Sequence, residues 1–513
     1  MFRWGLFSVL LIAAGYLTHA CGTELVGFQA DDALYLLMAD YWAPQPFVES
    51  VVTYVHRASH FPPLYPLILG LVGGGSRSLP VAHLWQNILM CAGFLSFTRL
   101  AWVLCRSVPS VLLMLWICAL MPATVYMSTE IWSEFAYLLW VSTALIMAEH
   151  AERQPAWWWG VALFGGAATV TRSLGAVLVI ALAFVLARRG CRRAWPTLLL
   201  AVLPLILAAF LGARGGAIYV RVWQSRVHDY HDALAVFVGN LAKMQTSWWE
   251  LFSPDQIASV NVISALLLPL MLTGWWLRLR AWKLDAVYVG SYLAVLVIWP
   301  FPEVMTRLLY PLVGLALIYS GLGTHACLER LTSRGLRHAL WVPPLLLLIG
   351  LLPTLYRMAI RYQSPELPPA LEAFRMSRYW LATPDMTAAI RDLTLKQAMR
   401  HLMDEAGARV PPGDCIYAAE PQAVMFYARR LSWMPPVGAA RTSLPSCRFH
   451  LLLSDRRIVD SARALWQPNL VILTARVPEG IGGVLVQYPE NDQPPLGGVT
   501  DSRNGTTRGR VPN

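Results

Sequence analysis

The sequence predicts a helical membrane protein that crosses the bilayer many times and carries a small C-terminal α/β domain. Three observations predict this class. Of the 513 residues, 56% are hydrophobic and 14% are charged, whereas average globular domains carry about 25% charged residues. Apolar runs long enough to cross the roughly 30 Å hydrocarbon core recur through residues 1–356. Polar residues then dominate, and short strand-like runs alternate with turns.

About eleven apolar segments have the length and composition of a membrane-spanning helix. The pair 156–171 and 173–187 is short and is interrupted by Gly165, Gly166 and Arg172, so it predicts either two short spans or one re-entrant unit. The predicted segments are 4–20, 81–104, 110–127, 131–149, 156–171, 173–187, 195–213, 258–276, 284–300, 308–323 and 339–356.

The basic residues predict the orientation of these helices. With a cytoplasmic N-terminus, the Arg-rich loops near residues 188–193 and 278–283 fall on the cytoplasmic side, as the positive-inside rule favours. An odd number of spans then places the C-terminal domain outside. The net charge of +11 is therefore assigned to membrane loops, and no nucleic-acid partner is expected. The segments expected outside are 21–80, 214–257 and 300–307.

The C-terminal part, residues 357–490, is predicted to be an extracytoplasmic α/β domain. An amphipathic helix is expected over 385–406, and residues 491–513 have the composition of a disordered tail. Cys415 and Cys447 either form a disulfide, if this domain faces an oxidising compartment, or remain free. The predicted short strands are Asp414–Ala418, His450–Ser454 and Leu470–Thr474.

Two adjacent acids, Asp31 and Asp32, begin a polar stretch soon after the first apolar segment. One interpretation is a solvated helix start, because Asp is favoured in a first turn. The other is a carboxylate that binds a cation or takes a proton from a hydroxyl group. Further along, His60 precedes the paired prolines Pro62 and Pro63, which hold an extended turn and place a potential cation at the height of lipid phosphates.

Charged residues also stand at the mouths of later predicted spans. Glu130 and Glu134 are four residues apart and face one side of a helix that starts by Glu130. Arg172 and Arg307 are single arginines on the expected outer side. They either extend to lipid headgroups or bind a phosphate with two parallel hydrogen bonds.

Taken together and in this order, these stretches resemble one family: multi-span glycosyltransferases of the C-type fold that use polyprenyl-phosphate sugars, in the protein-mannosyltransferase and aminoarabinose-transferase group. The resemblance covers about residues 1–356, and is looser in the C-terminal domain. The sequence departs from the family at His60, where Lys is usual, and in having Asp-Asp rather than Asp-Glu. The matching motifs are Asp31-Asp32-x-x-Tyr35, His60-x-Pro62-Pro63-Leu64-Tyr65, Pro122 followed by Ser133-Glu134, and Arg307-x-x-Tyr310-Pro311.

The resemblance implies an inverting enzyme of the bacterial inner membrane, acting on its extracytoplasmic face. It would transfer a sugar from a polyprenyl-phosphate-linked donor to a hydroxyl of a lipid, glycan or protein acceptor. Asp31 would be the general base, while Asp32 and Glu134 would orient the acceptor or, with Asp31, hold a divalent cation. The residues expected to bind substrate are Tyr35, His60, Glu130, Arg172, Arg307 and Tyr310.

Two other functions stay open at this point. A polyprenyl-lipid transporter or flippase would also need outer arginines, but it would more often show internal repeats, and the sequence has none that is evident. A non-catalytic membrane assembly protein would leave Asp31 free to change. Replacing Asp31 and measuring the glycosylated product separates these possibilities.

Overall fold

The computed structural model describes most of the helical part of the chain and part of the C-terminal domain. The predicted tail 491–513 and the predicted substrate-binding residue His60 lie outside the described residues. The structure describes residues 2–19, 26–28, 31–43, 49–58, 61–76, 78–190, 194–210, 217–254, 258–331, 340–375, 377–383, 385–418, 420–433, 447–453, 471–477 and 480–487.

The chain forms two compact units, Met1–Thr394 and Leu395–Asn513. The described helices of the first unit, in chain order, are α1 (Phe2–His19), α2 (Asp31–Trp42), α3 (Glu49–Ala58), α4 (Leu64–Leu71), α5 (Leu79–Cys105), α6 (Val108–Leu120), α7 (Pro122–Ser128), α8 (Glu134–Ala151), α9 (Trp158–Thr171), α10 (Ala176–Arg188), α11 (Ala194–Phe210), α12 (Ala217–Arg226), α13 (Tyr230–Phe252), α14 (Ala258–Arg280), α15 (Leu284–Val297), α16 (Met305–Leu309), α17 (Val313–Leu331), α18 (Val342–Gln363) and α19 (Arg378–Leu381).

In the part of the chain that the structure describes, each of the eleven apolar segments predicted from the sequence contains a helix, which confirms the all-helical class of the membrane part. Within the described residues, four helical stretches are long and apolar enough to cross a membrane alone: α5, α14, α18 and the run Pro302–Glu329. The pair α6 and α7, bent by 57°, makes a fifth if it counts as one span, and shorter apolar helices accompany them. The number of crossings, about eleven, stays a prediction.

Close packing of α14 against α17 depends on two glycines. A Cβ atom on Gly274 would lie 2.0 Å from the carbonyl oxygen of Tyr319, and one on Gly323 would lie 2.0 Å from that of Leu270. Since lipid tails are as apolar as Leu, membrane helices associate through such close backbone approach rather than through a hydrophobic driving force. The two glycines therefore set the distance between these helices.

The chain that follows α18 packs into the helical unit. Trp380 is fully buried, and its indole nitrogen donates a hydrogen bond of 2.9 Å to the carbonyl oxygen of Arg361. Trp380 shares one apolar cluster with Tyr126, Met358 and Leu393. This cluster is the physical reason why the first unit extends past residue 357, where the composition changes. The predicted domain limits, 1–356 and 357–490, stay a prediction.

The second unit contains the predicted α/β elements. Helix α20 (Met386–Arg409) contains the division between the units and is followed by β1 (Ile416–Ala418) and α21 (Pro421–Ala428). The other strands are β2 (Ser432–Trp433), β3 (Phe449–Leu453), β4 (Val471–Val477) and β5 (Gly480–Gln487).

These strands form one mixed sheet in the order β2-β1-β3-β5-β4. Strand β1 pairs in parallel with β2 and β3, and β5 pairs antiparallel with β3 and β4. Strands β1, β3 and β4 correspond to the three predicted strands, whereas β2 and the Gly-rich β5 were not predicted. A disulfide joins Cys415 to Cys447, which settles the alternative left open by the sequence.

Candidate active site

A cavity of about 180 Å³ opens between the first turn of α2, the break between α9 and α10, α12, and the chain that follows α15. It is the described place where the predicted acids and arginines meet. Its lining residues are Asp31, Tyr35, Phe61, Pro62, Arg172, Ser173, Leu174, Tyr219, Trp299, Phe301, Glu303, Val304, Arg307 and Leu308.

A network of ion pairs forms the wall of this cavity. Arg307 contacts the Asp31 carboxylate through Nη1 and donates from Nε to Oε1 of Glu134 at 2.7 Å. Arg172 approaches the same Glu134 oxygen, with 2.8 Å between Nη1 and Oε1. The Glu134 side chain is 0% exposed, while that of Asp31 is 21% exposed. Glu134 thus pairs with both guanidinium groups on the side away from the cavity, whereas Asp31 faces the cavity.

The first turn of α2 separates the roles of its two acids. Successive helical residues point about 100° apart, so the two side chains face different surroundings. Oδ1 of Asp32 accepts hydrogen bonds from the backbone N–H groups of Gly27 at 2.9 Å and Ala33 at 2.8 Å. Burial raises the pKa of Asp32 to about 6. The two backbone hydrogen bonds, and a third with the Glu130 side chain, each lower this pKa but do not cancel the effect of burial. Asp32 is thus a buried, structural acid, and it does not line the cavity.

A break in the helix path brings Arg172 to the cavity. Helix α9 ends at Thr171, Arg172 adopts an extended backbone, and the turn Ser173–Gly175 leads into α10. Gly175 permits this turn, because a Cβ atom there would lie 2.3 Å from the carbonyl oxygen of Ala168. The interruption recognised in the sequence is therefore the feature that presents Arg172.

Arg307 is held in place by its neighbours on several elements. Its guanidinium carbon lies 3.8 Å from the ring centroid of Trp132, a cation–π contact. The adjacent Thr306 donates a hydrogen bond of 2.7 Å to Glu250 of α13, which also pairs with Lys243 at 3.3 Å. These contacts fix the direction in which the guanidinium faces.

Aromatic side chains complete the cavity. The Tyr35 ring lies against Phe61, with 5.2 Å between centroids, and its hydroxyl is 3.0 Å from Oγ of Ser133. On the other side, Tyr219 packs against Trp299, with 5.0 Å between centroids. Cavities that combine aromatic walls with a few converging polar groups are typical of small-molecule sites.

The end of α15 is tied to α13 by one buried amide. Asn240 donates from Nδ2 to the carbonyl oxygens of Val297 and Trp299, both at 2.9 Å, and to that of Leu296 at 3.4 Å. These carbonyls lie at a helix C-terminus, where they have no partner within the helix. Asn240 therefore fixes the course of the chain that carries Trp299 into the cavity wall.

The structure places the predicted site residues in three environments. Asp31, Tyr35, Arg172 and Arg307 line the cavity, and Glu134 lies directly behind it. Asp32 and Glu130 are buried away from the lining. Tyr310 points toward α7, where its hydroxyl is 3.0 Å from Oγ1 of Thr124, so its predicted contact with substrate is not supported by its position.

Sequence reasoning missed several of the residues that line the cavity. The run Trp299-Pro300-Phe301-Pro302-Glu303 lies in or beside an expected outer segment. Its aromatic and acidic residues could have indicated a binding site, but only Arg307 was predicted from this region. Tyr219 had no comparable signal. Among the residues added by the structure are Tyr219, Trp299, Phe301 and Glu303.

The described acids do not form a metal site. Among the residues that the structure describes, no group of three or more His, Cys, Asp or Glu side chains is arranged to hold a metal ion. Asp31 and Glu134 instead share the guanidinium of Arg307, whereas Asp32 accepts hydrogen bonds from the backbone N–H groups of Gly27 and Ala33. The three acids predicted to hold a divalent cation are therefore not gathered around one point in the described structure, and a divalent cation stays a prediction.

Comparison with known proteins finds solved structures but no family model and no curated relative. The Archaeoglobus fulgidus oligosaccharyltransferase, solved with a tethered acceptor peptide, is 14% identical, with a TM-score of 0.47 over 84% of this chain. This chain spans 64% of that enzyme's length. ArnT from Cupriavidus metallidurans is 13% identical in its apo state, with a TM-score of 0.47, covering 94% of this chain and 96% of ArnT.

A second ArnT structure, bound to undecaprenyl phosphate, is 12% identical with a TM-score of 0.48, covering 95% of this chain and 98% of ArnT. At TM-scores below 0.5, the likeness does not decide the chemistry of this chain, which depends on the geometry of its own cavity.

Proposed function

We propose that this chain transfers a sugar from a polyprenyl-phosphate carrier to the hydroxyl group of an acceptor. One observation carries this proposal. A carboxylate and two guanidinium groups converge on one cavity, although Asp31 and Arg307 are 276 residues apart in sequence. Glycosyl transfer from a phosphate carrier needs this combination, a base for the acceptor and cations for the leaving group.

The chemistry assigns a role to each of the charged residues. The acceptor oxygen attacks the anomeric carbon, the bond from this carbon to the phosphate oxygen breaks, and polyprenyl phosphate leaves with the bonding electrons. Asp31 takes the proton of the acceptor hydroxyl. Arg172 and Arg307 stabilise the charge that develops on the phosphate. Attack from the side opposite the leaving group inverts the anomeric centre.

Glu134 acts through the two arginines. One of its oxygens lies 2.7 Å from Nε of Arg307 and 2.8 Å from Nη1 of Arg172, and its side chain has no exposure to the cavity. It is therefore a positioning residue, which holds both guanidinium groups toward the same point. This role replaces the contact with acceptor or cation that the sequence predicted for it.

We place the reaction at the extracytoplasmic face of the inner membrane. The Arg-rich loops between the other ends of the helices favour this orientation. The Cys415–Cys447 disulfide also favours an outer location for the second unit, because disulfides persist in oxidising compartments. A donor that is anchored in the membrane suits a site on this face, since soluble nucleotide sugars are made in the cytoplasm.

The test is a transfer assay with purified full-length protein in liposomes. A membrane extract from cells that lack this chain supplies donors and acceptors, and mass spectrometry follows the conversion of glycosylated carrier lipid to free polyprenyl phosphate. Asp31→Asn is expected to lower the rate by about 100-fold or more. Asp385→Asn, at an exposed acid outside the cavity, is the matched control and is expected to retain the wild-type rate.

Two results would overturn the proposal. Equal rates for Asp31→Asn and the wild type would reject Asp31 as the base. Movement of carrier lipid across the liposome bilayer without any transfer would indicate a flippase instead.

A further inference from the structure

We infer that Asp31 occupies the phosphate-binding side of Arg307 until the donor displaces it, so that the donor binds before the acceptor can react. This inference rests on the proposed function and concerns the order of events in the same cavity. Its basis is the ion pair between Nη1 of Arg307 and Oδ2 of Asp31.

Two carboxylates pair with Arg307, and only that of Asp31 has room to move away from the guanidinium group. Glu134 is 0% exposed and is held by Arg172 as well as by Arg307. Asp31 is the first residue of α2. Its side chain lines the cavity and is 21% exposed. A change of side-chain rotamer moves its carboxylate into the cavity without moving the helix.

Replacing Asp31 by a phosphate keeps the charges in the cavity wall paired. In the described structure, each guanidinium group already has a carboxylate partner, so an arriving phosphate finds no unpaired cation there. When a phosphate oxygen takes the place of Asp31 Oδ2 on Arg307, one anion replaces another and the guanidinium remains paired. No covalent bond changes in this step.

The exchange of Asp31 for phosphate on Arg307 also frees the Asp31 carboxylate to act as the base. While Oδ2 of Asp31 faces Arg307, the carboxylate is directed at the guanidinium rather than at an acceptor hydroxyl. After displacement, it stands free beside the bound donor, where the acceptor arrives. The base is thus released only when a leaving group is in place, which prevents proton abstraction in the absence of donor.

The test measures the affinity of the purified full-length protein for farnesyl phosphate, a short isoprenyl monophosphate, by calorimetry in detergent. Asp31→Asn removes the competitor for Arg307 and is expected to bind farnesyl phosphate about tenfold more tightly than the wild type. Arg307→Gln is expected to weaken binding by about tenfold or more. Asp31→Ser serves as a second variant if Asp31→Asn is not monodisperse in gel filtration.

Glu303→Gln is the matched control. Glu303 lines the same cavity, but its carboxylate makes no hydrogen bond or ion pair with the part of the chain that the structure describes. Glu303→Gln removes the same charge from the cavity and reports the general electrostatic effect, which is expected to stay within about threefold.

Unchanged or weaker binding by Asp31→Asn would overturn the displacement model, and so would equal gains for Asp31→Asn and Glu303→Gln. The proposed function fails on a different result. Wild-type transfer by Asp31→Asn would reject the proposed function, whereas lost transfer with unchanged affinity would reject only the displacement.

Discussion

Asp31 and Asp32 are neighbours in the chain but lie in different environments. Asp31 pairs with Arg307 at the cavity, whereas Asp32 is buried under two backbone N–H groups. The helical rotation between adjacent residues produces this separation. A dipeptide that looks like one acidic motif thus contains one partly exposed carboxylate at the cavity and one buried carboxylate, and single substitutions can test them separately.

The buried Asp32 makes folding stability depend on pH. Its pKa rises from 3.8 to about 6 on burial, so the folded chain binds this proton more tightly than the unfolded chain. The stabilisation is fully present below about pH 4, is lost as the pH rises to about 6, and amounts to about 3 kcal/mol. Asp32→Asn keeps an oxygen for the bonds from Gly27 and Ala33 and carries no charge, so we expect it to flatten this dependence.

The measurement is the midpoint of thermal unfolding in detergent between pH 4 and pH 8. The control is Asp385→Asn, at an exposed acid, which should show the wild-type profile. A loss of stability between pH 4 and pH 6 that is as steep in Asp32→Asn as in the wild type would contradict the assignment.

Elements, rather than single residues, determine where the cavity wall runs. Helix α13 holds the end of α15 through Asn240 and steadies Thr306, next to Arg307, through Glu250. The break between α9 and α10 presents Arg172. Contacts between helices therefore direct the chain around Arg307, whereas an interruption between two consecutive helices places Arg172.

Asn240→Leu tests the tie between α13 and α15. The substitution leaves the carbonyl oxygens of Leu296, Val297 and Trp299 without their shared donor and loosens the wall that carries Trp299. In the proposed reaction this wall would contact the donor without touching the base, so we expect KM for the glycosylated carrier lipid to rise by about tenfold and kcat to change little. Steady-state transfer assays measure both constants.

Ser247→Ala is the control for this change, on the same helix. Ser247 is equally buried, but its hydroxyl has no hydrogen-bond partner among the described residues, so its removal should leave both constants unchanged. A fall in kcat with an unchanged KM in Asn240→Leu would show that Asn240 acts elsewhere.

Gly323→Ala tests the approach of α17 to α14. The new Cβ atom would meet the carbonyl oxygen of Leu270 at 2.0 Å, which forces the helices apart at a cost of about 1–3 kcal/mol. Two residues earlier on the same helix, a Cβ atom on Gly321 would meet its nearest neighbour, the Leu340 carbonyl oxygen, at 3.4 Å. Gly321→Ala should therefore retain the wild-type unfolding temperature, and equal effects of the two substitutions would argue against close packing at Gly323.

At the scale of the whole molecule, the chain consists of a helical unit with the cavity and a second unit with a five-stranded sheet. The two units use different physical means of stabilisation. Close backbone approach between helices holds the first, while backbone pairing and a disulfide hold the second. This difference gives the second unit a dependence on redox conditions.

Cys415→Ser is expected to destabilise the second unit by about 3–4 kcal/mol, since the disulfide closes a loop with a sequence separation of 32. Limited proteolysis with increasing urea measures this loss, and the reductant dithiothreitol should produce the same loss in the wild type. Cys327→Ser, at a free cysteine of the helical unit, should not change the proteolysis profile of the second unit. If reductant had no effect on the wild type, the disulfide would not be a stabilising bond.

Local sequence was enough to predict many, but not all, of the elements of this fold. Each of the eleven apolar segments contains a helix within the described residues, and three of the five strands occur where short apolar runs predict them. These features depend on composition and periodicity within about 20 residues, which the membrane thickness and the backbone geometry constrain directly. Strand β5 was missed because its glycines obscure the strand pattern.

The candidate site was predictable only in part. Asp31, Glu134, Arg172 and Arg307 stand out in the sequence because charge at a membrane boundary is costly. Which side of a helix each one faces, and which partner it meets, was decided by tertiary packing. The sequence alone determined that this chain is a polytopic helical protein with a few acids and arginines near its predicted outer boundary. That Asp31 meets Arg307 while Asp32 does not follows from the packing of the folded chain, because two residues 276 positions apart are brought together by contacts between helices and not by local pattern.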